Sequence, residues 1–185
     1  MANLLYFTTM SLDGYVEDPS GDFGFSVPSE EVHQFANDSV RDAGTHLYGR
    51  RMYETMAVWE TDPSFAEDEP VMTEFAALWQ AADKVVYSMT LDAPVTSRTR
   101  IERTFDPAAV AALKEESPRD LLIGGATLAA EAFRAGLVDE CVLVVVPFVT
   151  GGGKPALPGG VRLSLVSHGD FENGTVYLRY RVLPL

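Results

Sequence analysis

One junction constrains the fold of this chain more than any other. An apolar run from Leu121 to Ile123 stops at Gly124-Gly125, and an amphipathic pattern begins directly afterwards. This order is typical of a β-strand that enters a helix through a turn with almost no side chain. The first amides of such a helix are free and its dipole is positive there, so the junction can bind a phosphate group. Similar turns occur in α/β proteins that bind nothing there, and both interpretations stay open.

Two other glycine motifs are excluded by their spacing. The dinucleotide fingerprint G-x-G-x-x-G is absent, because Gly124 and Gly125 are adjacent and no third glycine follows at the right place. The run Gly-Gly-Gly-Lys at 151–154 resembles the end of a P-loop. However, Phe148 stands where that motif needs its first glycine, and Pro155 stands where it needs Ser or Thr. A phosphotransferase is therefore not expected.

Strand-like and helix-like segments alternate up to about residue 136, and strand-like segments dominate afterwards. This pattern predicts one α/β domain over residues 1–185, with a mostly parallel sheet, helices on both faces and antiparallel strands at the end. The segment 11–27 is rich in Gly, Asp, Pro and Ser and predicts a long loop, and 62–70 predicts an exposed acidic loop. The predicted strands are 4–9, 45–49, 84–88, 96–102, 121–123, 141–148, 162–168 and 175–182. The predicted helices begin at 28 or 29, 50, 71, 106 and 127.

The composition excludes several classes of partner. The chain has 185 residues, of which 46% are hydrophobic, and its formal net charge is −13. Such an acidic surface repels nucleic acid and anionic membranes. The longest apolar stretch, 138–149, is too short and too often interrupted to cross a bilayer. We therefore expect a small-molecule ligand, with neither nucleic acid nor a membrane as partner.

The remaining composition signals favour a cytoplasmic protein without a metal centre. Residues 1–10 lack a secretory pattern, and the single cysteine, Cys141, forms no disulfide within one chain and is expected in the core. His33, His46 and His168 show no spacing typical of zinc ligands.

Several short segments together carry a resemblance to a known family. Their order and spacing resemble the dihydrofolate reductase-like superfamily, in the branch similar to the reductase half of the bifunctional deaminase–reductase of riboflavin biosynthesis. The resemblance covers nearly the whole chain. The segments are SLDGY at 11–15, LYGRRMYE at 47–54, VVYS at 85–88, IGGATL at 123–128, GLVDE at 136–140 and the run from Pro147 to Pro155.

The resemblance implies a three-layer fold in which a mostly parallel central sheet has helices on both faces and a C-terminal antiparallel hairpin. It also implies an NADPH-dependent oxidoreductase that transfers hydride to a C=N or C=O of a pteridine- or pyrimidine-like small molecule. Homodimers are frequent in this branch, so a homodimer is expected. The alternative is a catalytically silent nucleotide-binding or dimerisation module on the same fold.

Cofactor-binding residues are implied at two strand ends. Gly49, Arg50 and Arg51 match the segment that lies beside the adenine-side phosphates, where a guanidinium can bind the 2′-phosphate. Alternatively, both arginines are solvated and pair with nearby acids such as Glu54. The family often has Thr where this chain has Met52, so only a backbone contact is left at that position.

Two further strand ends are implied to contact the cofactor. Ser88 is expected to donate to the 2′-phosphoribose, or else simply to end its strand and start a turn. Gly124, Gly125, Ala126 and Thr127 take the pyrophosphate role.

The candidate catalytic carboxylates are Asp13, Glu30 and Glu31. Asp13 lies in the loop that the resemblance places over the nicotinamide, and it can also cap the turn that Gly14 permits. Glu30 or Glu31 falls near the position where dihydrofolate reductases carry a carboxylate on their first helix. First-turn glutamates are also favoured in any helix by its dipole.

Overall fold

The central element of the computed structural model, which describes residues 1–67 and 69–184, is an eight-stranded sheet. Its order is β5-β4-β3-β6-β1-β7-β10-β9, and a separate small sheet joins β2 to β8. The strands are β1 Leu4–Met10, β2 Tyr15–Glu17, β3 Ala43–Gly49, β4 Asp83–Tyr87, β5 Thr99–Glu102, β6 Asp120–Gly124, β7 Glu140–Val145, β8 Lys154–Pro155, β9 Arg162–Asp170 and β10 Val176–Leu183. The helices are α1 Glu30–Val40, α2 Arg50–Met56, α3 Val58–Thr61, α4 Ser64–Glu67, α5 Pro70–Ala81, α6 Pro107–Glu116 and α7 Ala126–Arg134.

The strands from β5 to β7 in this order pair in parallel, whereas β10 is antiparallel to β7 and β9 is antiparallel to β10. Helices cover both faces of the sheet. The predicted fold class is therefore confirmed: an α/β, dihydrofolate reductase-like three-layer fold with a C-terminal antiparallel hairpin.

The alternation of side chains along β1 separates two layers of core. Leu4 and Tyr6 join a cluster that includes residues of α6 and α7, and Leu5 and Phe7 contact clusters that include residues of α1 and α5. This is the two-residue period of a strand buried on both faces. We call these the α6/α7 face and the α1/α5 face.

The connections place a crevice at the carboxyl ends of the parallel strands, which we call the carboxyl edge. Helix α7 follows β6 and packs on the α6/α7 face. The two strands that flank β6 are β3 and β1. They are followed by α2 and α1, and both of these helices pack on the α1/α5 face. Ligands of open α/β sheets bind where adjacent connections leave to opposite faces, and β6 has such a point on both sides.

Two predicted loops contain regular structure. The segment 11–27 carries β2, which pairs with β8, and a short 3₁₀ helix at Gly24–Ser26. The acidic segment 62–70 carries α4, and its Asp68 lies outside the described residues. Both predictions of an irregular loop were wrong in this respect. For the segment 11–27 the reason is that β2 pairs with residues about 140 positions away, and composition does not signal such a contact.

Candidate functional site

A charged cleft of about 610 Å³ lies beside the start of α2. It opens between the loop after β2, the first turn of α2 and the start of β8, and the Nζ of Lys154 lies 2.6 Å from Oε1 of Glu17 across it. Two acidic and two basic side chains line the cleft, so an anion that enters it meets charges of both signs. The lining residues are Glu17, Asp18, Pro19, Ser20, Gly21, Arg51, Gly153 and Lys154.

An apolar cavity of about 340 Å³ lies farther along the sheet, at the ends of β1 and β7. Phe25 and Phe148 stack at its wall, with ring centroids 5.3 Å apart and an interplanar angle of 16°. None of its lining side chains carries a charge. The lining residues are Thr9, Phe25, Ser26, Val27, Pro28, Val32, Val146, Pro147, Phe148, Asn173 and Thr175.

The loops that wall these cavities are held together by Asp13. Its carboxylate accepts hydrogen bonds from the Ser11 hydroxyl at 2.7 Å, the Thr150 amide at 3.1 Å and the Gly151 amide at 2.8 Å. The Ser11 hydrogen bond, with the two amides, lowers the pKa of Asp13 to about 2. Asp13 is therefore an ionised anchor between the loop after β1 and the loop before β8, and it cannot donate a proton at neutral pH.

The other two candidate carboxylates line neither cavity. Glu30 and Glu31 occupy the exposed first turn of α1, and Glu31 accepts a weak hydrogen bond from the Glu172 amide at 3.3 Å. The residue that α1 turns toward the apolar cavity is Val32. Both glutamates lie in the first turn, where a helix dipole favours acids, and no carboxylate of the described residues lines the apolar cavity.

The adjacent arginines have different surroundings. Arg50 donates to Glu54 at 2.7 Å and to the Thr90 hydroxyl at 2.8 Å, so its guanidinium is already paired. Arg51 is exposed, lines the charged cleft and makes no ion pair within the described ranges. Arg51 is thus the guanidinium of this pair that is open to an anion.

Gly124 and Gly125 are required by packing against β3 and α2. A Cβ on Gly124 would lie 2.6 Å from Cε1 of Tyr48, and one on Gly125 would lie 3.2 Å from Cβ of Met52. Gly125 also has φ +89°, a conformation that favours glycine. Neither glycine lines the two cavities.

The starts of α2 and α7 are adjacent and have no side-chain caps. Tyr48 pairs with Gly124 in the sheet, so both helices leave from neighbouring strand ends. Their N-cap residues, Gly49 and Gly125, offer no side-chain acceptor, whereas Ser29 and Asp106 cap α1 and α6. Ala126 is buried and Thr127 is exposed at the first turn of α7. The two uncapped helix N-termini, whose first N–H groups have no partner within their own helix, therefore lie side by side at the carboxyl edge.

Ser88 is used by the turn that follows β4. Its hydroxyl oxygen accepts from the amides of Thr90 at 3.2 Å and Leu91 at 3.0 Å. This is the strand-ending role that the sequence left open.

The apolar cavity was missed at the sequence level. Phe25 lies in the segment predicted as a loop, and Phe148 and Thr175 come from distant parts of the chain, so no local motif unites them. Cys141 is buried as expected, and burial raises the pKa of its thiol to about 12. Among residues 1–67 and 69–184, no three His, Cys, Asp or Glu side chains are grouped to hold a metal ion, and no helix is long and apolar enough to cross a membrane.

Comparison with known proteins gives consistent relationships. The sequence profile described as the RibD C-terminal domain matches residues 2–177. A Bacillus subtilis protein, the uncharacterized YyaP, is 27% identical over 175 residues, which cover 92% of this chain and 90% of that one.

Solved structures share the fold. A Shewanella structure described as a putative riboflavin biosynthesis protein has a TM-score of 0.73 and 20% identity, with complete coverage of both chains. Acinetobacter baumannii RibD, in a second crystal form, has a TM-score of 0.72 and 16% identity over 99% of this chain but 58% of its own. The bifunctional deaminase/5-amino-6-(5-phosphoribosylamino)uracil reductase of Thermotoga maritima has a TM-score of 0.61 and 14% identity over 98% of this chain and 57% of its own. The present chain thus spans little more than half of these two longer proteins.

Proposed function

The chain belongs to the RibD C-terminal domain family, and we propose that it is an NADPH-dependent reductase acting on a pteridine- or pyrimidine-like heterocycle. The observation that carries the proposal is the meeting of two uncapped helix N-termini with the unpaired Arg51 at the carboxyl edge. Such a crevice offers several N–H donors and one guanidinium to a phosphorylated dinucleotide.

Most residues of the crevice suit this cofactor, and one side chain occupies space that the cofactor would need. Amides at the starts of α2 and α7 suit a pyrophosphate, and Arg51 suits the 2′-phosphate. Met52 lies against Gly125, so its side chain must share the crevice with the cofactor. NADPH supplies the hydride, and the chain's own residues do the rest.

Those residues position the substrate and exclude water. The apolar cavity adjoins the carboxyl edge and can hold a ring with one face toward the crevice. Because no carboxylic acid lines this cavity, we propose that the proton that completes the reduction comes from a water molecule.

A cofactor titration tests the proposal. NADPH at a hundredfold excess over its Kd is expected to raise the melting temperature by about 5 °C or more, and NADH by less. Arg51→Ala is expected to weaken NADPH binding about tenfold while NADH binding is unchanged, because the 2′-phosphate loses its charged partner. Differential scanning fluorimetry and isothermal titration measure both effects.

Arg134→Ala is the matched control, because it removes an exposed arginine from the last turn of α7, away from the carboxyl edge. Equal losses in both variants, or no response to millimolar NADPH, would contradict the proposal.

The alternative, a catalytically silent module, is favoured by one observation: the Met52 side chain lies over Gly125 in the crevice. Both functions allow NADPH to bind. Oxidation of NADPH at 340 nm in the presence of a dihydropteridine or imine separates them, because only a reductase consumes the cofactor.

We also propose a homodimer that forms through the hairpin of β9 and β10. On the α6/α7 face of this hairpin, Leu163 pairs with Val182 and Leu165 with Tyr180, and Leu165 is 52% exposed. A sheet face that leaves apolar side chains in solvent favours burial against another copy. Leu165→Glu is expected to give a monomer in light scattering, whereas Val95→Glu, at an exposed loop valine, leaves a dimer. A wild-type monomer at micromolar concentration would overturn this.

A further inference from the structure

We infer that the apolar cavity selects an uncharged planar heterocycle, one that carries neither a phosphate group nor a protonated ring. This inference rests on the proposed function and narrows its substrate. Three properties of the cavity support it: its apolar lining, its neutral polar groups and its lack of charged side chains.

The lining of the cavity suits a flat ring. Phe25 and Phe148 stack almost in parallel at its wall, while Pro28, Val32 and Val146 supply apolar surface. Its volume of about 340 Å³ lies at the small end of the range for ligand pockets, roughly 300–1,000 Å³. Because the two rings stack on each other, they form one aromatic wall, and a flat ring placed beside it gains from stacking and from apolar contact.

The polar groups of the cavity are neutral. Thr9, Ser26 and Thr175 bring hydroxyl groups, and Asn173 brings an amide. Asn173 is held in place, because its Oδ1 accepts from the Thr175 amide at 3.0 Å and its Nδ2 donates to the Ser29 hydroxyl at 3.4 Å. Hydroxyl and amide groups pair with the C=O and N–H groups of a lactam ring, and neither partner needs to be charged.

A charged substrate has no partner in this cavity. Burying an ion without a counter-ion is costly, and the chain's net charge of −13 adds a general penalty for anions. The cationic side chains Arg51 and Lys154 belong to the charged cleft, where Lys154 is paired with Glu17. A phosphoribosylamino-uracil, after which the Thermotoga reductase is named, has no phosphate partner here.

Binding of three rings of similar size tests the inference. The titrations are made at pH 5, where pterin is neutral, 2,4-diaminopteridine is mostly protonated on its ring and pterin-6-carboxylate is an anion. We expect pterin to bind at least tenfold more tightly than either of the other two, as measured by isothermal titration without NADPH. Equal or tighter binding of the carboxylate or of the diaminopteridine would overturn the inference.

A single substitution is expected to invert the preference. Asn173→Asp keeps the oxygen that accepts from Thr175 but places a carboxylate in the cavity, so 2,4-diaminopteridine should gain at least tenfold over pterin. Asn3→Asp, which adds the same charge at the opposite edge of the sheet, should leave the preference unchanged. An unchanged preference in the folded Asn173→Asp protein would contradict the assignment of this cavity.

A second pair of variants keeps the test independent of Asn173. Phe148→Ala removes half of the stacked pair and should reduce pterin affinity at least tenfold, whereas Phe23→Ala removes an exposed ring of the same loop region that lies outside the lining. Equal losses of pterin affinity in the two variants would count against binding in the apolar cavity. Because NADPH binding is measured separately by melting temperature, NADPH binding without pterin binding refutes only the inference, and the reverse result refutes the cofactor proposal.

Discussion

Gly153→Ala is expected to open the small sheet of β2 and β8 and to weaken NADPH binding. Gly153 has φ +127°, and a Cβ there would lie 1.8 Å from the carbonyl oxygen of Glu17. That oxygen belongs to backbone, so it cannot move aside as a flexible side chain does. Strain and clash together are expected to reduce the free energy of unfolding by about 3 kcal/mol, unless the strands separate locally.

Chemical denaturation and amide hydrogen exchange of residues 11–22 distinguish the two responses. Either response removes a wall of the charged cleft, so NADPH affinity should fall at least tenfold. Gly159→Ala is the matched control, because a Cβ at Gly159 meets no atom within 4 Å. If Gly153→Ala keeps native stability and its residues 11–22 stay as protected from exchange as in the control, β2 and β8 tolerate the extra atom.

This glycine illustrates where sequence reasoning stops. The spacing of the run 151–154 excludes a P-loop. What the glycines do instead depends on Glu17 and Pro19, which approach them from the loop after β2. A close approach between distant segments leaves no local pattern, so only the fold reveals it.

The same limit applies at Gly124 and Gly125. The sequence correctly predicted a strand that enters a helix through these residues, because the signal is contained within eight positions. It did not predict that Tyr48 and Met52 pack against them, since that requires knowing that β3 is the neighbour of β6. The pyrophosphate role of the glycines therefore stays a prediction.

Local capping signals, by contrast, were sufficient. Ser29 and Asp106 were identified as helix starts, and both side chains accept hydrogen bonds from the first turns of α1 and α6. A cap involves residues within one turn, so the chain encodes it without help from tertiary structure. The catalytic roles of Glu30 and Glu31 stay predictions, because the face that α1 turns toward the apolar cavity depends on its packing, and the residue of this turn that lines the cavity is Val32.

Acidification from pH 7 to pH 5 is expected to destabilise the protein by about 2 kcal/mol through His46 alone. Burial, with the nearby charges of Lys84 and Arg119, lowers the pKa of His46 from 6.5 to about 3. The unfolded chain therefore binds a proton on this ring below about pH 6.5 that the folded state refuses. Unfolding takes up that proton, so stability falls as the pH decreases from 6.5 toward 3.

The hydrogen bonds around His46 explain why its neutral form is required. Trp79 donates its indole N–H to the Tyr48 oxygen at 3.2 Å. The same oxygen lies 3.0 Å from Nδ1 of His46, and in the tautomer with its hydrogen on Nε2 the Tyr48 hydroxyl donates to Nδ1. A proton on Nδ1 would face the Tyr48 hydroxyl hydrogen. The hydrogen bond between these two buried side chains would then be lost.

His46→Gln isolates this effect, because glutamine offers an oxygen to Tyr48 but does not titrate. The variant is expected to lose about 2 kcal/mol less than wild type over the same pH interval, as measured by urea denaturation at each pH. Half-buried His33, whose pKa is also lowered by burial, contributes equally to both proteins and cancels in the comparison. Carboxylates such as Glu74, whose pKa hydrogen bonds from Asn37 and Arg41 lower to about 2, titrate mainly below this interval. Identical pH slopes in the two proteins would show that His46 accepts a proton without cost in the folded state.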